Sequence, residues 1–334
     1  MIVQSTQNPP SNLIDSTGMN KAPIALFVYN RPWHTQQTIE ALQKNELAEK
    51  SDLFIFSDAP KKSEAAAAVQ EVRNYIKTIG GFKIVNIVER TENLGLANSI
   101  IDGVTRLCNK YGRVIVLEDD LVASPYFLGY MNTALDIYES DNSVMHVAGY
   151  MFPIRNPEKL PETFFYRASS CWGWATWKRA WNSFESDSTY LLENICARKL
   201  GYEFDIHGTG GFTAMLKNQA DGLLDSWAIR WYASIFLKNG LCLHPAISLV
   251  NNIGHDGSGV HCGSSAAYAA DVLNAKPIKI DKLQEIKESP EGLAAIEEFN
   301  LSLRQPFYIR VYSGLIRRIR KIIGMAGQDD KDSK

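Results

Sequence analysis

Glu118, Asp119 and Asp120 follow directly on the apolar run Val114-Ile115-Val116-Leu117. Three adjacent carboxylates at the end of a buried strand repel one another, and a positive charge must offset that cost. Carboxylate oxygens suit Mg2+ and Mn2+, so a divalent cation is the natural counterpart. Asp225 stands near the start of a helical pattern in "DGLLDSWAIRWYASIFLKNG" (221–240), where a carboxylate at the positive end of the dipole is an adequate N-cap. His255, Asp256 and His261 fall among Gly254, Gly257, Gly259 and Gly263. That cluster reads either as metal ligands or as a flexible lid. Finally, "FFYRASSCWGWATWKRAWNSF" (164–184) holds Trp172, Trp174, Trp177 and Trp181. An aromatic-rich helix in the core and the wall of a sugar-sized pocket account for it equally well.

The elements that must position these groups are short apolar runs alternating with helical patterns. "PIALFVYNR" (23–31), "DLFIFSDAP" (52–60), "KIVNIVER" (83–90) and "RVIVLEDD" (113–120) read as strands. Between them lie a pattern with Thr38, Ile39, Leu42 and Leu47, an Ala-rich stretch at 64–78, and a loop and helix in "NLGLANSIIDGVTRLCNKYG". This alternation predicts an α/β fold, a mostly parallel Rossmann-like sheet with helices on both faces. Ligands of such sheets bind beyond the carboxyl ends of the strands. There the four runs carry Asn30-Arg31, Ser57-Asp58, Glu89-Arg90 and the acidic triplet, with Asn93 just past the third. Each alone is an ordinary turn residue; four in succession at one edge predict a site. GxGxxG and GxxxxGK[ST] are both absent, so neither dinucleotide nor P-loop binding is supported, and a bound nucleotide would need another cation for its phosphates. A further strand is expected in "VMHVAGYMF" (144–152), and another in the stretch that follows Gly240.

A chain of 334 residues with 45% hydrophobic and 22% charged residues has ample material for a core. Its formal charge of −2 gives no basis for nucleic acid as a partner. Five scattered cysteines without CxxC spacing argue against zinc and disulfide frameworks and suit a reducing compartment. Residues 1–21 read as a mobile arm without a secretory signal pattern, and no run of 18 apolar residues occurs, so a cytoplasmic location is expected. The stretch "RQPFYIRVYSGLIRRIRKIIGMAG" (304–327) has six basic and no acidic residues. It fits either a basic amphipathic helix on the inner, anionic face of a membrane or a C-terminal helix docked on the domain.

The strand ends with Arg31, Asp58 and the triplet resemble the GT-A glycosyltransferases and their DXD metal motif. The nearest likeness is to the inverting N-acetylglucosaminyltransferase I family, which carries an EDD variant. "VLEDDLVASPYFLGYM" (116–131), "FFYRASSCWGWATW" and "DSWAIRW" followed by "HPAISLVNNIGHDGSGVHCG" resemble that family's metal-site strand and helix, aromatic segment, catalytic-aspartate helix and flexible loop, in the same order over residues 23–265. "NIGHDGSGVHC" is also similar to bacterial sugar transferases of polysaccharide assembly. The resemblance implies a metal-dependent inverting glycosyltransferase that takes a UDP-sugar to a glycan or lipid-linked saccharide. It places Arg31 at the donor diphosphate, Asp58 on the uracil, Glu118 and Asp119 on the nucleotide, Asp120 on Mn2+ or Mg2+, and Asp225 as the base. Ser226 departs from the family, which has a second acid there. Arg90, Asn93, Trp172, Trp174, His255 and His261 are further candidate substrate contacts. The implied organisation is a catalytic domain over 22–285, with a donor half (22–153) and an acceptor half (154–285), and a helical tail over 286–334. Two other classes stand beside this. A sugar nucleotidyltransferase also pairs acids with a metal, but needs a basic phosphate loop where "YNRPWH" supplies one arginine. A non-catalytic carbohydrate-binding module explains the tryptophans but not the strand ends.

Overall fold

The computed structural model describes residues 21–257, 268, 273–282 and 285–304. Its first part alternates as expected: β1 (Ile24–Val28), α1 (Pro32–Gln43), β2 (Asp52–Ser57), α2 (Ala66–Ile76), β3 (Ile84–Glu89), α3 (Gly95–Tyr111) and β4 (Arg113–Glu118). There follow β5 (Leu121–Ala123), α4 (Phe127–Ile137), β6 (Val144–Ala148), β7 (Thr163–Tyr166), β8 (Trp174–Trp177) and α5 (Lys178–Trp181). A helical stretch of α6 (Ser188–Ala197), α7 (Gly201–Phe204), α8 (Phe212–Ala220) and α9 (Trp227–Leu237) leads to β9 (Leu241–Pro245), β10 (Val250–Asn252) and α10 (Pro290–Ser302).

Eight strands form one sheet in the order β3-β2-β1-β4-β8-β6-β9-β7. The pairings β1 with β2, β1 with β4, β2 with β3 and β6 with β9 are parallel, whereas β8 runs against both its neighbours and β7 against β9. The expected Rossmann-like α/β sheet is therefore present, with β7 and β8 reversed. Both faces are covered, which is why the central strands read as continuous apolar runs. Ile24, Leu26 and Val28 pack with Ile39 and Leu42 of α1 and Leu128 of α4 on one face. Ala25 and Phe27 pack with Ile100 and Val104 of α3 and Trp231 of α9 on the other. Gly103 lets α3 approach closely, since a Cβ there would meet the Phe27 ring at 2.7 Å.

The aromatic stretch 164–184 is not the helix its composition suggested. It is β7, a connecting loop, β8 and only one turn of helix. β8 is clamped between β4 and β6 and buried at all four positions, so its apolar run lacks the period that separates a buried strand from a buried helix. Beyond residue 286, α10 lies on β7, with Ile296 and Phe299 in a core shared with Phe164 and Phe204.

Candidate active site

The chain leaves β1 through Tyr29 and Asn30 and enters α1 at Pro32, a residue pre-set for the first helical position. This places Arg31 at the carboxyl edge, opposite the end of the adjacent β4. Its Nη2 donates to Asp120 Oδ2 at 2.8 Å and also to Asp119 Oδ1. The Tyr29 amide donates to Asp119 Oδ2 (3.3 Å), and Thr38 Oγ1 donates to the Asp119 carbonyl (2.9 Å). Arg31 is thus the protein's own answer to the acidic triplet. Burial works against its charge, yet Asp119 and Asp120 outweigh burial and hold its proton more firmly than usual. One cation does not balance three acids. Burial, then Asp120 and Asp119, push Glu118 up to about 8 against the pull of Arg31. Burial pushes Asp119 up to about 6, with Arg31 opposing and Asp120 adding to the rise.

Folded Glu118 binds its proton more tightly than the unfolded chain, whose value is near the ordinary 4.5. Its contribution is complete below about 4.5 and is lost as pH rises through about 8. Without divalent metal, the wild type should lose stability over that window, and Glu118→Gln should be spared a loss on the order of a few kcal/mol. Melting temperatures of both proteins between pH 5 and pH 9 check this; parallel profiles would contradict it.

Asp58 follows β2 and is buried. Its Oδ1 accepts from the amides of Ala59 and Leu94 (both 3.0 Å), and its Oδ2 from the Gly95 amide (2.9 Å) and Asn93 Nδ2 (3.1 Å). A carboxylate has about four acceptor positions, and these bonds fill them. In the structure Asp58 therefore holds the turn that begins α3, and Asn93 belongs to the same knot through a second bond to the Ala59 carbonyl (2.6 Å). Arg90 Nη2 is paired with Asp102 at 2.8 Å. Asp58, Asn93 and Arg90 are joined to this wall by bonds within the protein.

The opposite wall comes from far along the chain. β10 pairs antiparallel with β5, and the Ile253 amide donates to the Asp120 carbonyl at 2.9 Å. This seats Gly254 against the Asp120 carboxylate and the Arg31 guanidinium, where a methyl group would overlap Asp120 Oδ2. Gly254 is the site residue that the sequence did not single out beyond its place in a glycine-rich loop. Gly254→Ala should displace the Asp120 side chain and weaken the binding of any metal and nucleotide held there at least tenfold, on the scale of about 1.4 kcal/mol, with little change in melting temperature. Calorimetry beside a thermal melt tests both halves. Asp256 accepts from or pairs with His34 Nε2 at 3.0 Å, tying the loop to α1. His255 packs edge-on to Trp172 (5.2 Å) and stacks near Tyr268 (6.1 Å). His261 lies outside the described residues.

Trp172 is half-buried and meets Tyr150 edge-on at 4.4 Å, so it joins this wall. Trp174 does not. It is fully buried, stacked between Trp227 (5.0 Å) and His146 (5.3 Å), and its proposed substrate contact is corrected to a core role. Trp174 pairs with Val116 of β4, so its stacking on Trp227 brings the N-terminus of α9 to the carboxyl edge. Asp225 precedes that helix. The cap is Ser226, whose side chain accepts from the Ile229 amide at 3.4 Å, and not Asp225. The side chain of Asp225 is 64% exposed, with Oδ1 held by Arg230 Nη2 at 3.2 Å.

No group of three His, Cys, Asp or Glu among the described residues forms a metal cage. The donors nevertheless fit Mg2+ or Mn2+, which typically take one or two carboxylates and complete their shell with water and substrate phosphates. Asp120 with its neighbours offers oxygen only, and Arg31 Nη1 is buried beside them without a hydrogen-bond partner among the described residues. An additional anionic oxygen would satisfy it.

No family model matches the sequence, nor does any curated protein. Among solved structures, the chain is similar to a mannosyltransferase from Pyrobaculum calidifontis in complex with GDP-Man and Mn2+. That match has 11% identity and a TM-score of 0.37 over 69% of this chain and 73% of the other. It is also similar to a UDP-glucose pyrophosphorylase complexed with UDP-glucose, at 10% identity and a TM-score of 0.33 over 67% of this chain and 90% of the other. Similarity at that level assigns neither substrate nor site residues here.

Proposed function

We propose that this protein is a metal-dependent inverting glycosyltransferase, moving a sugar from a UDP-sugar to a hydroxyl of a glycan or lipid-linked saccharide. The observation that carries the reading is the buried Nη1 of Arg31, without a hydrogen-bond partner among the described residues, on the guanidinium that binds Asp119 and Asp120. A guanidinium donor at that place suits a diphosphate oxygen. A bound Mn2+ or Mg2+, with Asp120 as its protein ligand, would supply Lewis-acid neutralisation of the leaving diphosphate. Asp225 takes the proton from the acceptor hydroxyl through Oδ2, the oxygen that Arg230 leaves open. The acceptor oxygen then bonds to the anomeric carbon as the bond to the diphosphate breaks, and Arg31 Nη1 donates to the departing charge. Asp58 acts by shaping the nucleotide wall through residues 93–95 and not by contacting the base. The basic stretch 304–323 suits an anionic membrane surface, where a lipid-linked acceptor would be met; beyond Arg304 it lies outside the described residues.

The test is thermal stabilisation by a panel of UDP- and GDP-sugars with and without Mn2+. A donor at a hundredfold excess over its Kd contributes about 2.7 kcal/mol. One nucleotide-sugar should stabilise the protein only when Mn2+ is present and should be slowly hydrolysed there. Equal behaviour with and without the metal rejects the reading.

A further inference from the structure

We propose that a second pocket, at the opposite end of the sheet, binds a neutral saccharide unit. The choice of a saccharide rests on the glycosyltransferase reading; the existence of the site does not. The pocket encloses about 370 Å³, within the range of small-molecule sites, and Tyr166, Glu203, His207 and Asn239 are among its walls. Tyr166 pairs with Cys242 at the start of β9. β9 runs parallel to β6, and β6 and β4 both run against β8. The pocket therefore lies toward the amino ends of the strands, away from Glu118.

Three observations mark it as a binding site. Tyr166 is one of the residues that line the pocket, is 1% exposed, and its hydroxyl has no hydrogen-bond partner among the described residues. A buried hydroxyl left without a partner is a cost that a ligand would relieve. Ile206 (φ 50°) and His207 (φ 48°) are consecutive left-handed residues, and Ile is β-branched, so this turn is held in a conformation that the isolated chain avoids. The turn sets His207, which lines the pocket, against Tyr202, stacked at 5.1 Å, and the Tyr202 ring is 63% exposed.

The charges in the wall decide the ligand class. Arg167 is engaged by Glu288 (3.5 Å) and lies over the Phe236 ring, while His207 Nδ1 faces Glu297 at 2.5 Å. With both basic groups of the wall held by carboxylates of the protein, nothing among the described residues there favours a phosphate. A phenol donor, the Glu203 acceptor and the Asn239 amide, beside aromatic surface, suit hydroxyls on one side of a sugar and its C–H face on the other. Such a pocket would hold one part of a glycan while another part reaches the transfer site, or retain a product chain.

Tyr166→Phe removes only the unpartnered oxygen. Its melting temperature should hold or rise, and Mn2+-dependent UDP binding should not change. The probes are chitobiose, lactose, maltose and mannobiose, titrated against the intact protein by ligand-observed NMR. At least one should bind the wild type, bind at least tenfold more weakly to Tyr166→Phe and to Glu203→Ala, and bind Asp120→Ala unchanged. The proposal is overturned if none binds, if binding survives Tyr166→Phe, or if it is lost in Asp120→Ala. A fall in stability of Tyr166→Phe also overturns it, because the hydroxyl would then have an internal partner. Failure of the glycosyltransferase reading appears elsewhere, as absent Mn2+-dependent UDP-sugar binding, and leaves these outcomes readable.

Discussion

Asp225→Asn should lower transfer by about 10²-fold or more while the donor binds as before, the scale on which loss of a general base is felt. The substitution is unusually clean here. Ser226 supplies the N-cap of α9, so the helix keeps its terminus when Asp225 changes. An asparagine can still accept the Arg230 hydrogen bond through its carbonyl oxygen, preserving the contact seen at 3.2 Å. What it cannot do is accept a proton from the acceptor hydroxyl. Turnover measured by UDP release should therefore collapse, while calorimetry with UDP and Mn2+ shows an unaltered Kd. Near-normal turnover would remove Asp225 from the chemistry and leave it a surface partner of Arg230.

Asp120→Ala should abolish the metal dependence of nucleotide binding and leave the protein folded. Removing one partner of a buried ion pair is ordinarily costly. At this position two effects offset that cost: Arg31 keeps Asp119, and the repulsion that raises Glu118 is reduced. The expected signature is a melting temperature within a few degrees of wild type and no gain in UDP affinity on adding Mn2+. An unchanged, Mn2+-dependent affinity would refute Asp120 as the metal ligand. Collapse of the fold would show instead that the Arg31 clamp is chiefly structural.

What could be read in the sequence was whatever depended on neighbours along the chain. β1 to β4 announce themselves because strands buried on both faces are apolar throughout and end abruptly in polar residues. That places Arg31, Asp58 and the triplet at one edge without any knowledge of contacts. Their partners were not legible. Arg31 and Asp119 are separated by 88 positions, and nothing local says that the guanidinium itself turns back onto the acids. Asp58 stands out in the sequence as a carboxylate at a strand end, but its saturation by Ala59, Asn93, Leu94 and Gly95 depends on where α3 begins beside β2. Trp172 and Trp174 look equivalent in sequence. Only the insertion of β8 between β4 and β6 sends one to the site wall and the other into the core. Gly254 gains its meaning from the β5 and β10 pairing, which a glycine-rich loop does not encode by composition.

The tryptophan column behind the site has an optical consequence. Trp174 and Trp227 stack at 5.0 Å and 21°, with Trp181 at 5.9 Å from Trp174 and Trp231 at 4.9 Å from Trp181. Indole transitions this close and fixed in orientation couple as excitons, giving a far-ultraviolet circular dichroism couplet that weakens as the rings move apart or turn. Because Trp227 stands two residues after Asp225, that band reads the seating of the helix that Asp225 precedes. A catalytic-site variant with the band intact has lost chemistry; one without it has lost geometry.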